Sequence, residues 1–213
     1  MQINAARVKE LRDKTGAGMM DCKAALLETG GDMEKAVDHL RKSGVLKAAK
    51  KADRPTGQGL LASYVHAGSK LAVIVEINCE TDFVAKTDQF QDFARDVAMH
   101  IAAQNPLVVS REELPGNVLD RERAIYKEQA MASGKPENIV DKIVDGKIEK
   151  YYSEVCLLEQ PFVKDTDITV GDLLTQTIAT LGENIRIPRF VRMELGGGAP
   201  KEQEEATGAC CTV

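Results

Sequence analysis

The stretch Leu71-Ala72-Val73-Ile74-Val75-Glu76-Ile77-Asn78-Cys79-Glu80-Thr81-Asp82-Phe83-Val84-Ala85-Lys86 decides the fold. Leu71, Val73, Val75 and Ile77 recur at a period of two, the pattern of a strand with one face on a core. Leu60 to His66 forms a second such run, and Ala67-Gly68-Ser69-Lys70 between them reads as the turn of a β-hairpin. After Asn78 the period changes, and Phe83 stands beside a carboxylate where a strand ends and a helix begins. Phe90, Phe93, Val97 and Ile101 then make the apolar stripe of a long helix that covers the sheet. Phe83 precedes Phe90 by seven residues and is in phase with that stripe, so spacing alone favours a buried Phe83; the alternative is an exposed wedge.

Working outward, Asn105-Pro106 stops the long helix. Residues 119–134 and 137–156 read as two charged helices, the second striped by Val140, Val144, Ile148, Tyr151 and Val155, which fits an antiparallel pair projecting from the sheet. A short helix over Val170 to Leu181 precedes a last strand in which Ile185, Ile187, Val191, Met193 and Leu195 alternate with Arg186, Phe190, Arg192 and Glu194. Pro188 places that strand at an edge or a bulge. The expected core is α+β, with about three antiparallel strands and helices on one side. Gly196-Gly197-Gly198 reads as a flexible joint, and residues 199–213 as a mobile tail.

Towards the N-terminus, three short helices are expected within the first 44 residues. Val8 and Leu11 mark the first, ended by Thr15-Gly16. Met19, Cys22 and Leu26, with Met20, Ala24 and Leu27, mark the second; Met33, Ala36, Val37 and Leu40 mark the third, with Asp32 as N-cap and Gly44 as stop. So small a unit has no room for an enclosed active site and reads as a binding module. Met19 and Met20 point about 100° apart, so one can enter the small core while the other faces a partner, with Lys9 and Arg12 framing it. The Lys- and Ala-rich segment 45–57 becomes a linker, giving the division 1–54, 55–198 and 199–213.

Composition narrows function. A net charge of −5, 4% aromatic residues and no Trp argue against direct nucleic-acid binding. Residues 1–55 nevertheless carry +4, leaving −9 on the rest, so a basic partner-facing surface and a merely solvated helix face both remain open. No run approaches the ~20 apolar residues of a membrane span, and Met1 to Lys9 lacks the apolar core of a signal peptide, so a cytosolic protein is expected. Cys22, Cys79 and Cys156 read as reduced, packed thiols, and His39, His66 and His100 share no metal-ligand spacing with them, so no metal site is expected. Cys210-Cys211-Thr212-Val213 only loosely resembles a prenylation box. There is no phosphate-cradling loop with a Lys-Ser/Thr ending. A Cys79 nucleophile with His66 as its base is the strongest enzymatic option, set against the commoner inert strand Cys. An enzyme is not expected.

Two segments resemble the elongation factor Ts family: Val8 to Arg12 continuing through Thr15-Gly16-Ala17-Gly18-Met19-Met20-Asp21-Cys22-Lys23, and Glu76 to Lys86. The likeness continues through Ser133-Gly134-Lys135-Pro136 and Gln160-Pro161-Phe162-Val163 and covers nearly all of residues 1–198. It implies a ubiquitin-associated-type N-terminal domain on an α+β core and a guanine-nucleotide exchange factor for elongation factor Tu. By that resemblance Lys9, Arg12, Met19, Met20, Lys23 and Lys51 grip the partner's GTPase domain, with His66 a weaker carry-over. Thr81, Asp82, Phe83 and Val84 form the motif that disturbs the nucleotide's magnesium site. Longer members hold two related core halves and this chain has room for one, so the resemblance implies a homodimer serving two partner molecules, in the bacterial cytosol or plastid stroma. Ala199 to Val213 does not continue the family's apolar C-terminal helix. A general ubiquitin-associated-type adaptor would explain residues 1–44 but leave Thr81 to Lys86 without a role.

Overall fold

The computed structural model describes residues 4–133 and 136–197. Its helices are α1 (Ala5–Thr15), α2 (Met19–Glu28), α3 (Met33–Ala49), α4 (Asp82–Ala85), α5 (Asp88–Gln104), α6 (Gly116–Ala132), α7 (Glu137–Val155) and α8 (Val170–Leu181). Its strands are β1 (Gln58–Val65), β2 (Leu71–Cys79), β3 (Pro161–Phe162), β4 (Asp165–Thr169) and β5 (Ile185–Glu194), so the fold is α+β.

Strands β1, β2 and β5 form one antiparallel sheet with β2 in the centre. The register sets Leu60 opposite Ile77, Ala62 opposite Val75 and Tyr64 opposite Val73, which turns all six side chains towards the same face. Helix α5 covers that face with Phe90, Phe93, Val97 and Ile101, all buried, and Val170 and Ile178 of α8 close the core beside it. Burying a Phe or Ile side chain contributes about 1.5–3 kcal/mol, so this stripe is the main reason helix and sheet stay together. Asn105 in the left-handed conformation ends α5.

The last strand departs from its sequence pattern. Ile185 and Ile187 face the core, but Val191, Met193 and Leu195 are exposed, and Phe190 and Arg192 take the inner positions. A register shift opposite Glu76 and Asn78, beside Pro188, inserts a residue and reverses the alternation. Leu61, Val65, Ile74, Val191 and Met193 therefore share the outer face of the sheet, with Ile74 paired to Val191.

One more expectation is corrected, and one element is added. Gly44 does not stop α3, which runs to Ala49; it is buried within the helix, where an added Cβ would lie at an ordinary contact distance of 3.6 Å from that of Ala179 in α8. The short hairpin of β3 and β4 had no sequence counterpart, its strands being two and five residues long.

Helices α1 to α3 enclose a small cluster of Val8, Leu11, Cys22, Ala25, Leu26 and Ala36. The pair α6 and α7 has its own seam of Ala130, Val140, Val144 and Ile148. Arg41 of α3 meets Asp172 of α8 at 2.7 Å, so the N-terminal helices are tied to the core through α3.

Candidate functional site: an exposed phenylalanine tip

Phe83 is 79% exposed. Spacing favoured burial, and the structure overturns it, because Phe83 and Phe90 lie on different helices. Helix α4 ends at Ala85 with Lys86 as its C-cap, and Thr87 starts α5 afresh by accepting the Phe90 N–H at 3.3 Å with its hydroxyl. A seven-residue repeat keeps its face only within one continuous helix, and the break rotates Phe83 into solvent.

The rest of the tip is fastened down. Thr81 caps α4 by accepting the Val84 N–H at 3.4 Å, and Val84 and Ala85 pack against the core. Asp82 accepts from Lys86 at 2.6 Å, and that hydrogen bond holds its carboxyl below the usual carboxylate range. One apolar ring thus stands out from a four-residue helix whose inner side is packed.

Below the tip lies a polar base that sequence reasoning missed. Glu183, in the turn between α8 and β5, accepts both the Thr81 N–H at 3.0 Å and the Thr81 O–H at 2.7 Å. Glu80 in turn accepts the Asn184 N–H at 2.6 Å. Buried Asn184 donates to the carbonyls of Ala52 at 3.2 Å and Arg54 at 2.8 Å, and Arg186 also donates to Ala52. These partners are about a hundred residues apart in the chain, so no local pattern could reveal them.

Cys79 donates to the Thr81 carbonyl at 3.1 Å, is fully buried, and has its thiol pushed up by that burial. It pairs with Gln58, while His66 meets Leu71 at the other end of the hairpin, about 26 Å away at ~3.3 Å per residue. The Cys79–His66 dyad is therefore not assembled. His66 bonds instead to the Tyr64 hydroxyl at 3.0 Å, remote from the tip.

On the N-terminal helices both methionines lie outside the core, Met19 46% and Met20 75% exposed, where one was expected inside. Cys22, Ala25 and Leu26 fill the core side of α2, which leaves Met20, Lys23, Ala24 and Leu27 on the open side. Leu27, part of the apolar pattern of α2, is exposed beside them. Lys9, Arg12 and Lys23 are exposed and, among the described residues, form no ion pairs. Lys51 is turned inwards, donating to the Ile178 carbonyl at 3.4 Å, and burial lowers its pKa. It braces α8 rather than joining the cationic surface.

Residues 32–197 match the family model described as "Elongation factor TS". The chain belongs to the elongation factor Ts family. It is 58% identical over 205 residues to elongation factor Ts of Geotalea uraniireducens, covering 96% of this chain and 95% of that one. Elongation factor Ts of Carboxydothermus hydrogenoformans is 58% identical over 203 residues, covering 95% and 94%, and that of Desulfosudis oleivorans 59% over 194 residues, covering 91% and 98%.

Among the described residues no cluster of three His, Cys, Asp or Glu side chains could hold a metal ion, and no helix is long and apolar enough to cross a membrane. The Cys210-Cys211 ending, the 199–213 tail, Gly198, and Gly134-Lys135 within the family likeness lie outside the described residues.

Proposed function

We propose that this protein is a guanine-nucleotide exchange factor for elongation factor Tu, speeding GDP release during translation elongation. The observation that carries the reading is Phe83, a large apolar side chain held in water on a packed base, in a chain of the elongation factor Ts family. Residues 1–54 serve as the grip: Met19, Met20 and Leu27 offer adaptable apolar contact, and Lys9, Arg12 and Lys23 offer charge. Residues 55–198 carry the wedge.

The partner holds GDP through phosphate contacts and a magnesium ion that demands near-octahedral geometry. Phe83 pressed into the surrounding loops displaces them sterically, while Asp82, fixed by Lys86, orients the tip. Coupling is reciprocal: a factor that weakens GDP tenfold, ~1.4 kcal/mol, is weakened tenfold by GDP. Arriving nucleotide therefore expels the factor. In this scheme no covalent bond is made or broken and the protein needs no cofactor, so it is not an enzyme in the chemical sense. It acts in the bacterial cytosol or plastid stroma, without contacting nucleic acid or membrane itself.

A second copy of the chain completes the assembly, giving two factors and two partners. What supports this is the outer sheet face, where Leu61, Val65, Ile74, Val191 and Met193 stand exposed side by side.

The test is release of fluorescent GDP from purified elongation factor Tu with wild type, Phe83→Ala and a Met19→Ala/Met20→Ala double variant. Acceleration by wild type that drops in both variants supports grip and wedge. No acceleration by folded wild type sinks the assignment.

A further inference from the structure

A protruding ring can transmit force only if its base does not yield. Helix α4 has four residues, too few to be stable alone. Val84 and Ala85 pack one side of it against the core, and its N-terminal end is set by whatever holds its N-cap residue, Thr81. Thr81 spends both of its donors on one carboxylate, that of Glu183, while its hydroxyl oxygen caps Val84. Two charge-assisted bonds from one residue fix a direction as well as a distance.

The bond is doubled in reverse. Glu80 accepts from Asn184, so the residue pairs 80–81 and 183–184 are cross-linked by a carboxylate on each side that accepts a backbone N–H of the other. Asn184 also holds the carbonyls of Ala52 and Arg54, where the chain leaves the N-terminal helices. Arg54 returns to Glu80 at 3.5 Å. The exit of the three-helix unit, the turn after α8 and the foot of the tip thus meet in a single polar cluster.

We propose that Glu183 is a positioning residue for nucleotide exchange, setting the pitch of Phe83 through Thr81 and, with Asn184 and Glu80, tying the tip to the N-terminal grip. This rests on the exchange-factor reading above. Glu183 does not touch the partner's nucleotide; it acts through Phe83. Losing it leaves the grip intact and lets the tip swing, so the effect falls on the maximal rate and not on binding.

The experiment measures fluorescent-GDP release from elongation factor Tu against factor concentration, separating the maximal rate from the half-saturating concentration. Glu183→Ala, Glu183→Gln, Phe83→Ala and the Glu183→Ala/Phe83→Ala double variant are compared with wild type, each checked for folding by circular dichroism. A misplaced tip lowers the maximal rate roughly ten- to a hundredfold in Glu183→Ala, with the half-saturating concentration within about twofold. Glu183→Gln, which keeps one acceptor oxygen, recovers part of the loss. In the Phe83→Ala background Glu183→Ala changes nothing further, because the ring it positions is gone. A loss of the same size in both backgrounds, a loss confined to the half-saturating concentration, or no loss overturns the positioning role while leaving a slow Phe83→Ala to support the wedge. A Phe83→Ala as fast as wild type removes the wedge itself and the proposal with it. If Glu183→Ala does not fold, the near-isosteric Glu183→Gln carries the same comparison in both backgrounds.

Discussion

His100 and Gln160 meet inside the protein, the imidazole Nε2 lying 2.9 Å from the amide Oε1, and both side chains are buried. The Val163 N–H donates to His100 Nδ1 at 3.2 Å, so Nδ1 is the acceptor and Nε2 carries the proton. Gln160 passes the connection on, donating to the Glu154 carbonyl at 2.6 Å. Long helix, α7 and the β3–β4 hairpin are thereby joined through one neutral imidazole.

Burial holds His100 below the ordinary histidine value of 6.5. The unfolded chain therefore takes up a proton that the native state refuses, and the contribution of His100 is fully present above about 6.5 and lost as pH falls through the depressed native value. The thermal midpoint should fall between pH 7.5 and pH 5.5, and His100→Gln should flatten that part of the profile. Parallel profiles for the two proteins would sink this account.

Two phenylalanines seven residues apart should behave oppositely. Phe90 is fully buried, and Phe90→Ala should cost about 3–5 kcal/mol in urea unfolding. Phe83→Ala should stay within about 0.5 kcal/mol of wild type while losing most of the stimulated GDP release.

Gly59→Ala and Gly146→Ala should differ in sign. Gly59 has φ +147° and a Cβ there would lie 2.1 Å from the Ile77 carbonyl oxygen, so alanine must push β1 away from β2 and cost more than about 2 kcal/mol. Gly146 lies within α7 with nothing within 4 Å of an added Cβ, and alanine should stabilise by about 0.5–1 kcal/mol. Chemical denaturation of both variants decides.

Ile74→Arg places a charge at the centre of the exposed sheet face, between Ser63 and Val191. Sedimentation should show wild type at twice the chain mass and the variant at the chain mass, with little change in monomer folding. A wild type that sediments as a monomer at micromolar concentration removes the paired-copy reading.

The legible parts of this sequence were those set by local periodicity. The stripe from Phe90 to Ile101 and the alternation from Leu71 to Ile77 each lie within one unbroken element, and both faces came out as spaced. Periodicity misled where an element is interrupted: at Lys86–Thr87, which separated Phe83 from Phe90, and at Pro188, beyond which Val191 and Met193 changed faces. Gly44 misled for a different reason, since it is buried within α3, which continues past it to Ala49, and one glycine inside a packed helix does not end it. The Glu183 contacts to Thr81 span 102 residues and depend on the finished fold, so only three-dimensional closure brings them together.

The fresh start that Thr87 gives to α5 also bears on how such a protein can change over generations. Because the phase of α5 is set by its own cap, the outward residue Phe83 can be exchanged without rotating Phe90, Phe93, Val97 or Ile101 away from the sheet, whereas Val84 and Ala85 are held by the core. The exposed ring and the apolar stripe of this stretch are thus separately variable, and a change at Phe83 leaves the interior as it stands.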